Sequence, residues 1–433
     1  MANPTVFCNT PWYEAHIYWD GSLGICCQES RKLHSNDQTY NIRNMTLSEW
    51  FNSEPVRQFR KDMLRNTPTD ICSRCHHEES HNGTSRRHRS NQKSVIFTKQ
   101  AFTKSFEQSP GYKHFMFSQD KDGITNTMPI DLHIDLGNHC NLACKMCWSG
   151  ASTRIASQFV KWGYADHQQY LGVDWTKDSE VWMRFLNELI TIPKLKNIHL
   201  MGGETLLSPR FEQLVDFMIL HQRFDISFSF VTNGTVYRPD LIAKLKQFAR
   251  IGIEISIETT TSHNDYVRQG SKIEEILGNI SKYQQLCNAG NMSLTIRTAI
   301  SLLTVGYYHT LLKYCLSNRL IIKSLLVTDP IYLDCKLLPN NIKDAYKQPY
   351  EEMLLELGEA VDVDFNESDP NQYKKSIKLQ LIQVLNLLND QKYSNNQLLE
   401  QTVRWCQSWD KVYGFNAREL YPEFIEIFDQ YGY

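Results

Sequence analysis

The sequence predicts an α/β fold: six parallel strand–helix units, preceded by a small cysteine-rich α+β domain and followed by a helical region. Three observations support this prediction. Short apolar strands alternate with longer helical stretches from residue 129 to residue 335, which is typical of parallel βα units. Cysteines are concentrated before residue 96, and the last hundred residues carry apolar side chains at helical spacing without a strand pattern.

The composition is that of a globular chain. Its 433 residues are enough for two or three domains, and 41% hydrophobic with 22% charged residues is ordinary for such proteins. A net charge of −2 and a pI near 6.7 give no overall field that would recruit nucleic acid. No apolar run approaches the ~18 residues of a membrane span. Twelve cysteines without a secretory leader pattern predict a reducing, cytoplasmic location.

The first predicted domain, residues 1–95, is built around cysteines. A strand at 15–19, the turn Asp20-Gly21 and a return strand at 22–25 predict a hairpin. A helix is expected from Thr46 to about residue 65, with Glu49 completing a capping box. Residues 96–128 are predicted to be a connector with aromatic anchors. Four thiols of the first domain form a possible metal site, for which spacing alone leaves zinc and an iron–sulfur cluster open: Cys8, Cys26 (or its neighbour Cys27), Cys72 and Cys75.

The second predicted domain, residues 129–335, supplies the six units, and chemistry is expected at the carboxyl ends of its strands. An insertion at 163–177 has no clear period, and the region 336–433 is predicted to be helical, with a packing face on 376–389. The strands are expected at 130–136, 197–201, 226–231, 252–258, 293–300 and 323–328, and the helices near 152–160, 179–191, from Pro209, 239–249, 271–289 and 307–318.

The loop after the first of these strands carries Cys140, Cys144 and Cys147 at C-x3-C-x2-C spacing. Three thiolates can hold three irons of a cubane and leave the fourth iron open to a ligand, as a catalytic metal site leaves one position open. A zinc knuckle or a set of buried thiols is the alternative, although no well-placed fourth zinc ligand follows.

With Asn141-Leu142 after the first cysteine and Trp148 after the third, this loop resembles that of the radical S-adenosylmethionine (radical SAM) superfamily. The resemblance implies that the six units of residues 129–335 form a partial (β/α)6 barrel. The same resemblance implies a catalytic [4Fe–4S] cluster on Cys140, Cys144 and Cys147, whose open iron chelates SAM. It also implies that one electron cleaves SAM to methionine and a 5′-deoxyadenosyl radical, which abstracts hydrogen from a substrate.

Further residues resemble the SAM site of that superfamily. Gly202-Gly203-Glu204 follows a strand, as does the family's GGE motif that binds the SAM amino group, although Thr205 stands where the family usually has proline. Ser256 and Arg268 resemble the serine and arginine that contact SAM's polar groups, since an arginine fork matches a carboxylate. A backbone-bonded serine and a surface ion pair are the alternatives. The other implied SAM contacts are Trp148, Asn233, Glu258 and the backbone at Val327, and the candidates for the barrel mouth are Arg297, Asp329, Tyr332, Asp334 and Cys335.

The first domain has a resemblance of its own. Its C-x2-P-W, D-G-x-L-x-x-C-C and C-x2-C motifs resemble SPASM/twitch auxiliary-cluster domains of radical SAM enzymes. This implies a second [4Fe–4S] cluster on Cys8, Cys26, Cys72 and Cys75. Such domains usually follow the radical SAM core, whereas this one precedes it. A structural four-cysteine zinc site is the alternative.

Together these resemblances imply a radical SAM enzyme acting on a peptide or protein, with an external electron donor such as flavodoxin or ferredoxin. The composition predicts no membrane partner and does not indicate a nucleic-acid partner. Sugars, nucleosides and cofactor precursors are alternative substrates. The rival function is a non-catalytic iron–sulfur or zinc scaffold or electron carrier. A scaffold would not need the Gly202–Glu204 turn together with Ser256 and Arg268. Whether SAM is consumed or regenerated stays open.

Overall fold

The structure, a computed structural model, describes residues 6–29, 33–35, 38–82, 85–88, 90–91, 118, 121–126, 128–287, 290–358, 370–390 and 395–433. The predicted connector at 96–128, including its aromatic anchors, therefore lies mostly outside the described residues. Among the helices of the described part, none is long and apolar enough to span a membrane.

The strands are β1 Glu14–Ile17, β2 Leu23–Gly24, β3 His34–Ser35, β4 Gln38–Thr39, β5 Asp131–Asp135, β6 Ala143–Cys144, β7 Asn197–Met201, β8 Ser227–Thr232, β9 Arg250–Ser256, β10 Arg268–Gln269, β11 Met292–Ile300 and β12 Ile321–Leu326. The helices are α1 Leu47–Phe51, α2 Glu54–Leu64, α3 Ser73–Asn82, α4 Thr153–Lys161, α5 Ser179–Thr191, α6 Pro209–Leu220, α7 Pro239–Leu245, α8 Ser262–Val267, α9 Ile273–Cys287, α10 Tyr308–Ser317, α11 Asn340–Leu357, α12 Gln372–Asn389, α13 Asn396–Tyr413, α14 Ala417–Leu420 and α15 Ile425–Gln430. Short 3₁₀ helices lie at Thr10–Trp12, Asp70–Cys72, Ala165–Tyr170, Trp175–Lys177, Thr205–Leu207, Ile331–Leu333, Cys335–Leu337 and Pro422–Phe424.

The six strands predicted for the core are β5, β7, β8, β9, β11 and β12, and their ends differ from the prediction by at most two residues. Helices follow them as predicted, and the region after residue 336 is helical where it is described. The α/β fold class is thereby confirmed. Two site candidates expected on strands lie beyond them, because β9 ends before Glu258 and β12 ends before Val327.

The helix expected from Thr46 to residue 65 is two helices, so the prediction of one continuous helix was wrong. The capping box is confirmed, since Thr46 Oγ1 accepts the Glu49 N–H at 3.2 Å and the Thr46 N–H donates to Glu49 Oε2 at 2.8 Å. The break follows from Pro55, which has no N–H to donate to a preceding turn and suits the first turn of α2.

The structure divides into two compact units, and the first comprises residues 1–139, 164–230 and 238–251. Its strands lie in the order β2-β1-β5-β7-β8. β1 pairs with β2 in antiparallel fashion, whereas the β1–β5, β5–β7 and β7–β8 pairs are parallel. One face of these strands is apolar and buried, with Leu132, Ile134, Ile198 and Leu200 fully enclosed.

The second unit comprises residues 140–163, 231–237 and 252–433. Its strands lie in the order β9-β11-β12, with β11 and β12 parallel. A separate two-residue antiparallel ladder joins β6 to β10, with Arg268 opposite Cys144. Helix α12 packs on β12, where the Ile322 N–H donates to Ser376 Oγ at 3.2 Å. The packing role predicted for the apolar face of 376–389 is thereby confirmed.

Candidate cluster and cofactor site

Cys140, Cys144 and Cys147 lie half-buried on one loop of the second unit. Burial raises the pKa of the Cys144 thiol, and the other two cysteines raise it further. Burial, together with Cys140, raises the pKa of Cys147 to about 12. Thiols that raise each other's pKa lose their protons readily only when a metal cation compensates their charge. The donor set therefore fits the three-cysteine [4Fe–4S] cluster that the spacing predicted.

Hydrogen-bond donors surround the first of these cysteines. The Leu142 N–H points to Cys140 Sγ at 3.4 Å, and Asn233 Nδ2 lies 3.9 Å from the same sulfur. Asn233 also donates to Asn141 Oδ1 at 2.8 Å, and Asn141 Nδ2 donates to Thr235 Oγ1 at 2.9 Å. Asn233 therefore holds the cysteine loop from the end of β8. The contact with SAM predicted for Asn233 stays a prediction.

Arg268 links the second cysteine to a buried carboxylate. Its Nη1 lies 3.9 Å from Cys144 Sγ, and its Nη2 donates to Glu258 Oε1 at 2.9 Å while Nε donates to Glu258 Oε2. The Ala299 N–H adds a bond to Glu258 Oε1 at 3.3 Å. Glu258 is fully buried, so this ion pair lies in the interior and not at the surface. The SAM contacts predicted for Arg268 and Glu258 stay predictions, since here the two side chains bind each other.

The other residues of the second unit that are predicted to contact SAM are Ser256, Trp148 and Val327. Ser256 is the half-buried last residue of β9, and the Trp148 side chain is 55% exposed beside Cys147. The Val327 N–H donates to Ile300 O at 2.8 Å, so an adenine would have to bind another backbone group there. These three assignments stay predictions.

The Gly202–Glu204 turn lies in the first unit, against the backbone that precedes Cys140. The Gly203 N–H donates to Gly137 O at 3.2 Å, and the Glu204 N–H donates to His139 O at 2.7 Å. A Cβ on Gly203 would overlap His139 O, so the close approach of the two segments requires glycine. Glu204 is buried, and its Oε1 accepts the Leu206 N–H at 3.1 Å as the N-cap of the Thr205–Leu207 turn.

The candidate auxiliary cysteines also lie in the first unit. Burial raises the pKa of Cys8 to about 11, with Cys75 adding to the rise. Burial, Cys8 and Cys75 raise the pKa of Cys72. In the described residues, which include both cysteine sets, no three His, Cys, Asp or Glu side chains converge as ligands of one metal ion. A cubane spreads its cysteines over four irons, so a looser set of thiols fits it. The choice between Cys26 and Cys27 stays open, because both are half-buried and adjacent.

The residues predicted to line the mouth of the barrel mostly make contacts that hold the fold together. Arg297 Nε lies 2.5 Å from Glu254 Oε2 in an ion pair between neighbouring strands of the second unit. Tyr332 O accepts from Thr402 Oγ1 at 2.5 Å, and Asp334 Oδ1 caps a 3₁₀ turn through the Lys336 N–H at 2.9 Å. Cys335 is buried, and Asp329 is exposed.

Two features were missed from the sequence. His16, His133 and His199 lie at the same register of β1, β5 and β7, and form a polar row on the face opposite the apolar one. His16 Nε2 is 3.1 Å from Asp135 Oδ1. The alternation of polar residues in 131–135 and 197–201 was an available signal. The second feature is Lys145, which is 1% exposed, and no local pattern around a lysine between two cysteines signals that burial.

Comparison with known proteins adds independent evidence. The family model of the radical SAM superfamily matches residues 134–297, and that of an iron–sulfur cluster-binding domain (SPASM) matches residues 8–76. The search of curated proteins found no match.

Among solved structures, Streptococcus suis SuiB bound to S-adenosylmethionine is 12% identical, with 70% of this chain and 64% of that chain covered and a TM-score of 0.39. The structure of anSMEcpe with bound AdoMet and a Cp18Cys peptide is 17% identical, with 52% and 60% covered and a TM-score of 0.34. The chain thus spans less than two thirds of either protein, and at these scores the likeness carries no weight for fold or substrate. The two family models match in the order and positions of the cysteine motifs, so the chain carries a radical SAM domain and, preceding it, an iron–sulfur cluster-binding domain of the SPASM type.

Proposed function

We propose that this chain reductively cleaves SAM and uses the resulting 5′-deoxyadenosyl radical to abstract hydrogen from a peptide or protein. The observation that carries the proposal is the three-thiol loop of Cys140, Cys144 and Cys147, whose buried thiols are fixed by neighbouring donors. When bound there, a [4Fe–4S] cluster supplies an electron and an open iron position for SAM.

The residues of the chain have defined tasks in this proposal. The Leu142 N–H and the Asn233 amide stabilise negative charge on the Cys140 sulfur, and Arg268 does so for Cys144. Such charge-assisted contacts also fix the direction of each ligand. Glu204, buried directly after β7, offers a carboxylate to an ammonium group. Ser256, Arg268 and Glu258 are assigned to the polar groups of SAM.

The domain boundaries are part of the proposal: an auxiliary-cluster domain at 1–95, a connector at 96–128, a radical SAM core at 129–335 and a helical region at 336–433. Cys8, Cys26, Cys72 and Cys75 would hold the auxiliary cluster. Their buried thiols are a suitable donor set, and the SPASM match over residues 8–76 agrees in position.

The substrate class rests on the auxiliary domain, which is associated with peptide and protein modification in the superfamily. The solved SuiB structure with its precursor peptide SuiA and the peptide complex of anSMEcpe are named for such substrates. Their likeness to this chain is too distant to indicate a particular peptide. A flavodoxin or ferredoxin would deliver the electron, and the cytoplasm would be the location.

The test is SAM cleavage by full-length protein, reconstituted and reduced without oxygen. We expect 5′-deoxyadenosine from the wild type and none from Cys144→Ala, measured by liquid chromatography. A wild type that carries its cluster and binds SAM but never cleaves it would rule out the enzyme and favour the electron-carrier alternative.

The substrate class is decided with cell fractions that stimulate SAM cleavage by the wild type. These fractions are treated with protease and tested again. Stimulation lost on digestion supports a peptide, and stimulation that survives supports a small molecule.

A further inference from the structure

Lys145 lies between two candidate cluster ligands, and its side chain is buried within the second unit. Its Nζ forms no hydrogen bond with any residue in the described part of the chain. Instead it lies 3.8 Å from the ring centroid of Tyr266, 4.7 Å from that of Trp409 and 6.0 Å from that of Phe415. The three rings form an aromatic box around the ammonium group, and cation–π attraction of this kind strengthens when the cation is desolvated.

The loop is anchored on both sides of this side chain. The Lys145 N–H donates to Val267 O at 2.7 Å, next to the ladder that places Arg268 opposite Cys144. Ala143 packs in a small buried cluster with Ile155 and Trp409, and Cys147 packs against that cluster. Helix α13, which carries Trp409, therefore contributes directly to the surroundings of the cysteine loop.

Burying an ammonium group without a hydrogen-bond partner is costly unless nearby charge offsets it. The titratable groups whose charge would act on Lys145 are Cys406, Asp410 and Cys144, of which Asp410 carries a carboxylate and the other two are thiols. Asp410 Oδ2 accepts the Ala417 N–H at 2.6 Å and the Tyr433 hydroxyl, while its Oδ1 is buried with no hydrogen-bond partner among the described residues. The thiolates and sulfides of a bound cluster would supply further negative charge on the Cys144 side.

We propose that Lys145 is a positioning residue of the catalytic cluster, whose boxed cation holds the cysteine loop and favours the reduced state of the cluster. The inference rests on the proposed ligand set of Cys140, Cys144 and Cys147. A cluster that gains an electron becomes more negative, and a fixed cation in a medium of low dielectric constant stabilises that charge. Net charge is one of the quantities that set cluster potentials.

The test compares three variants of the full-length, reconstituted protein: Lys145→Met, which keeps the length but loses the charge, Lys145→Arg, which keeps the charge, and Lys282→Met as a control. Lys282 also lies over a ring, with Nζ 5.2 Å from the Tyr237 centroid, but it is exposed to solvent. The readout is a redox titration of the electron paramagnetic resonance signal that changes on adding SAM, with iron content and circular dichroism as checks.

We expect Lys145→Met to lower the ratio of reduced to oxidised cluster about tenfold at a fixed potential, which corresponds to a shift of about 59 mV. Lys145→Arg and Lys282→Met should titrate as the wild type does. A folded, iron-loaded Lys145→Met variant with an unchanged titration would overturn the proposal. If that variant fails to load iron, recovery in Lys145→Arg supports the proposal, and failure of both overturns it. A wild type without a SAM-responsive signal would instead overturn the ligand set itself.

Discussion

The backbone of Arg268 lies opposite that of Cys144 in a two-residue antiparallel ladder. The same arginine holds the buried carboxylate of Glu258 with two guanidinium nitrogens. The Arg268–Glu258 pair thus connects the cysteine loop, the segment after β9 and, through the Ala299 N–H that donates to Glu258, strand β11. We infer that the geometry of the loop depends on this buried pair.

Breaking the pair should be costly, because either partner alone leaves an uncompensated buried charge. We expect Arg268→Met or Glu258→Gln to lower the free energy of unfolding by about 3–5 kcal/mol. Urea denaturation with matched iron content measures this. The double variant Arg268→Met/Glu258→Gln should be more stable than the sum of the two single losses predicts, and a double loss equal to that sum would contradict the coupling.

SAM affinity should depend on Glu204. In Glu204→Gln, an amide oxygen can still cap the Thr205–Leu207 turn, while the negative charge for the SAM ammonium is lost. A charge-assisted hydrogen bond is worth about 1.5–3 kcal/mol, so we expect the dissociation constant to rise roughly ten- to a hundred-fold. Titrating SAM against the cluster's paramagnetic signal measures it, with iron content unchanged.

The same titration applies to Arg268→Ala, for which we expect a similar loss of affinity with the cluster retained. Unchanged affinity would show that another cation binds the SAM carboxylate. Arg297 is the next candidate, on the strand beside β9 in the second unit.

Iron content should separate the two cysteine sets. We expect about eight irons per chain after anaerobic reconstitution, as two cubanes of four. Changing Cys140, Cys144 and Cys147 together to Ala should remove half of them, as measured by iron and sulfide analysis. Zinc in place of iron at Cys72 and Cys75 would contradict the auxiliary cluster and leave the catalytic one standing.

Gly203 and Gly278 form a matched pair of substitutions. Gly203→Ala would push a Cβ into His139 O, and the turn before Cys140 would have to move. We expect lower SAM affinity and lower stability. Gly278 lies exposed in α9 with open space around its Cα, so Gly278→Ala should raise stability by about 0.5–1 kcal/mol. An equal change in stability for Gly203→Ala and Gly278→Ala would refute the inference that the close approach to His139 O requires glycine at position 203.

Acid should destabilise the second unit through His263. Burial lowers the pKa of this imidazole, which stacks on Tyr307 with ring centroids 3.3 Å apart and bonds Leu420 O at 2.9 Å through Nε2. The unfolded chain therefore binds a proton at higher pH than the folded chain. Stability is full above the unfolded pKa of about 6.5 and falls as the pH drops through it toward the lower folded pKa. The free energy of unfolding, measured by denaturation at pH 7.5 and 5.5, should differ less between the two pH values in His263→Gln than in the wild type. An equal difference in the two proteins would contradict this role of His263.

Local sequence patterns were sufficient to predict much of the secondary structure of this molecule. Apolar runs marked the six core strands, and Thr46 with Glu49 marked a helix start, because both depend on neighbours in sequence. The ladder between β6 and β10 was not predictable, since two residues carry no pattern and Arg268 is far from Cys144 in the chain. The box around Lys145 was hidden for the same reason, because Tyr266, Trp409 and Phe415 come together only through the tertiary fold.

The pairing of β1 with β5 in the first unit has a consequence for synthesis on the ribosome. β1 emerges long before β5, and among the described strands of its sheet β2 alone is made in the meantime. The nascent N-terminal segment must therefore wait for its parallel neighbour, and closing so long a loop slows folding. Conversely, a shortened chain that lacked β1 would leave β5 with an open edge, ready to pair with another molecule. The cysteine-rich segment therefore also covers, with β1, the edge that β5 would otherwise expose.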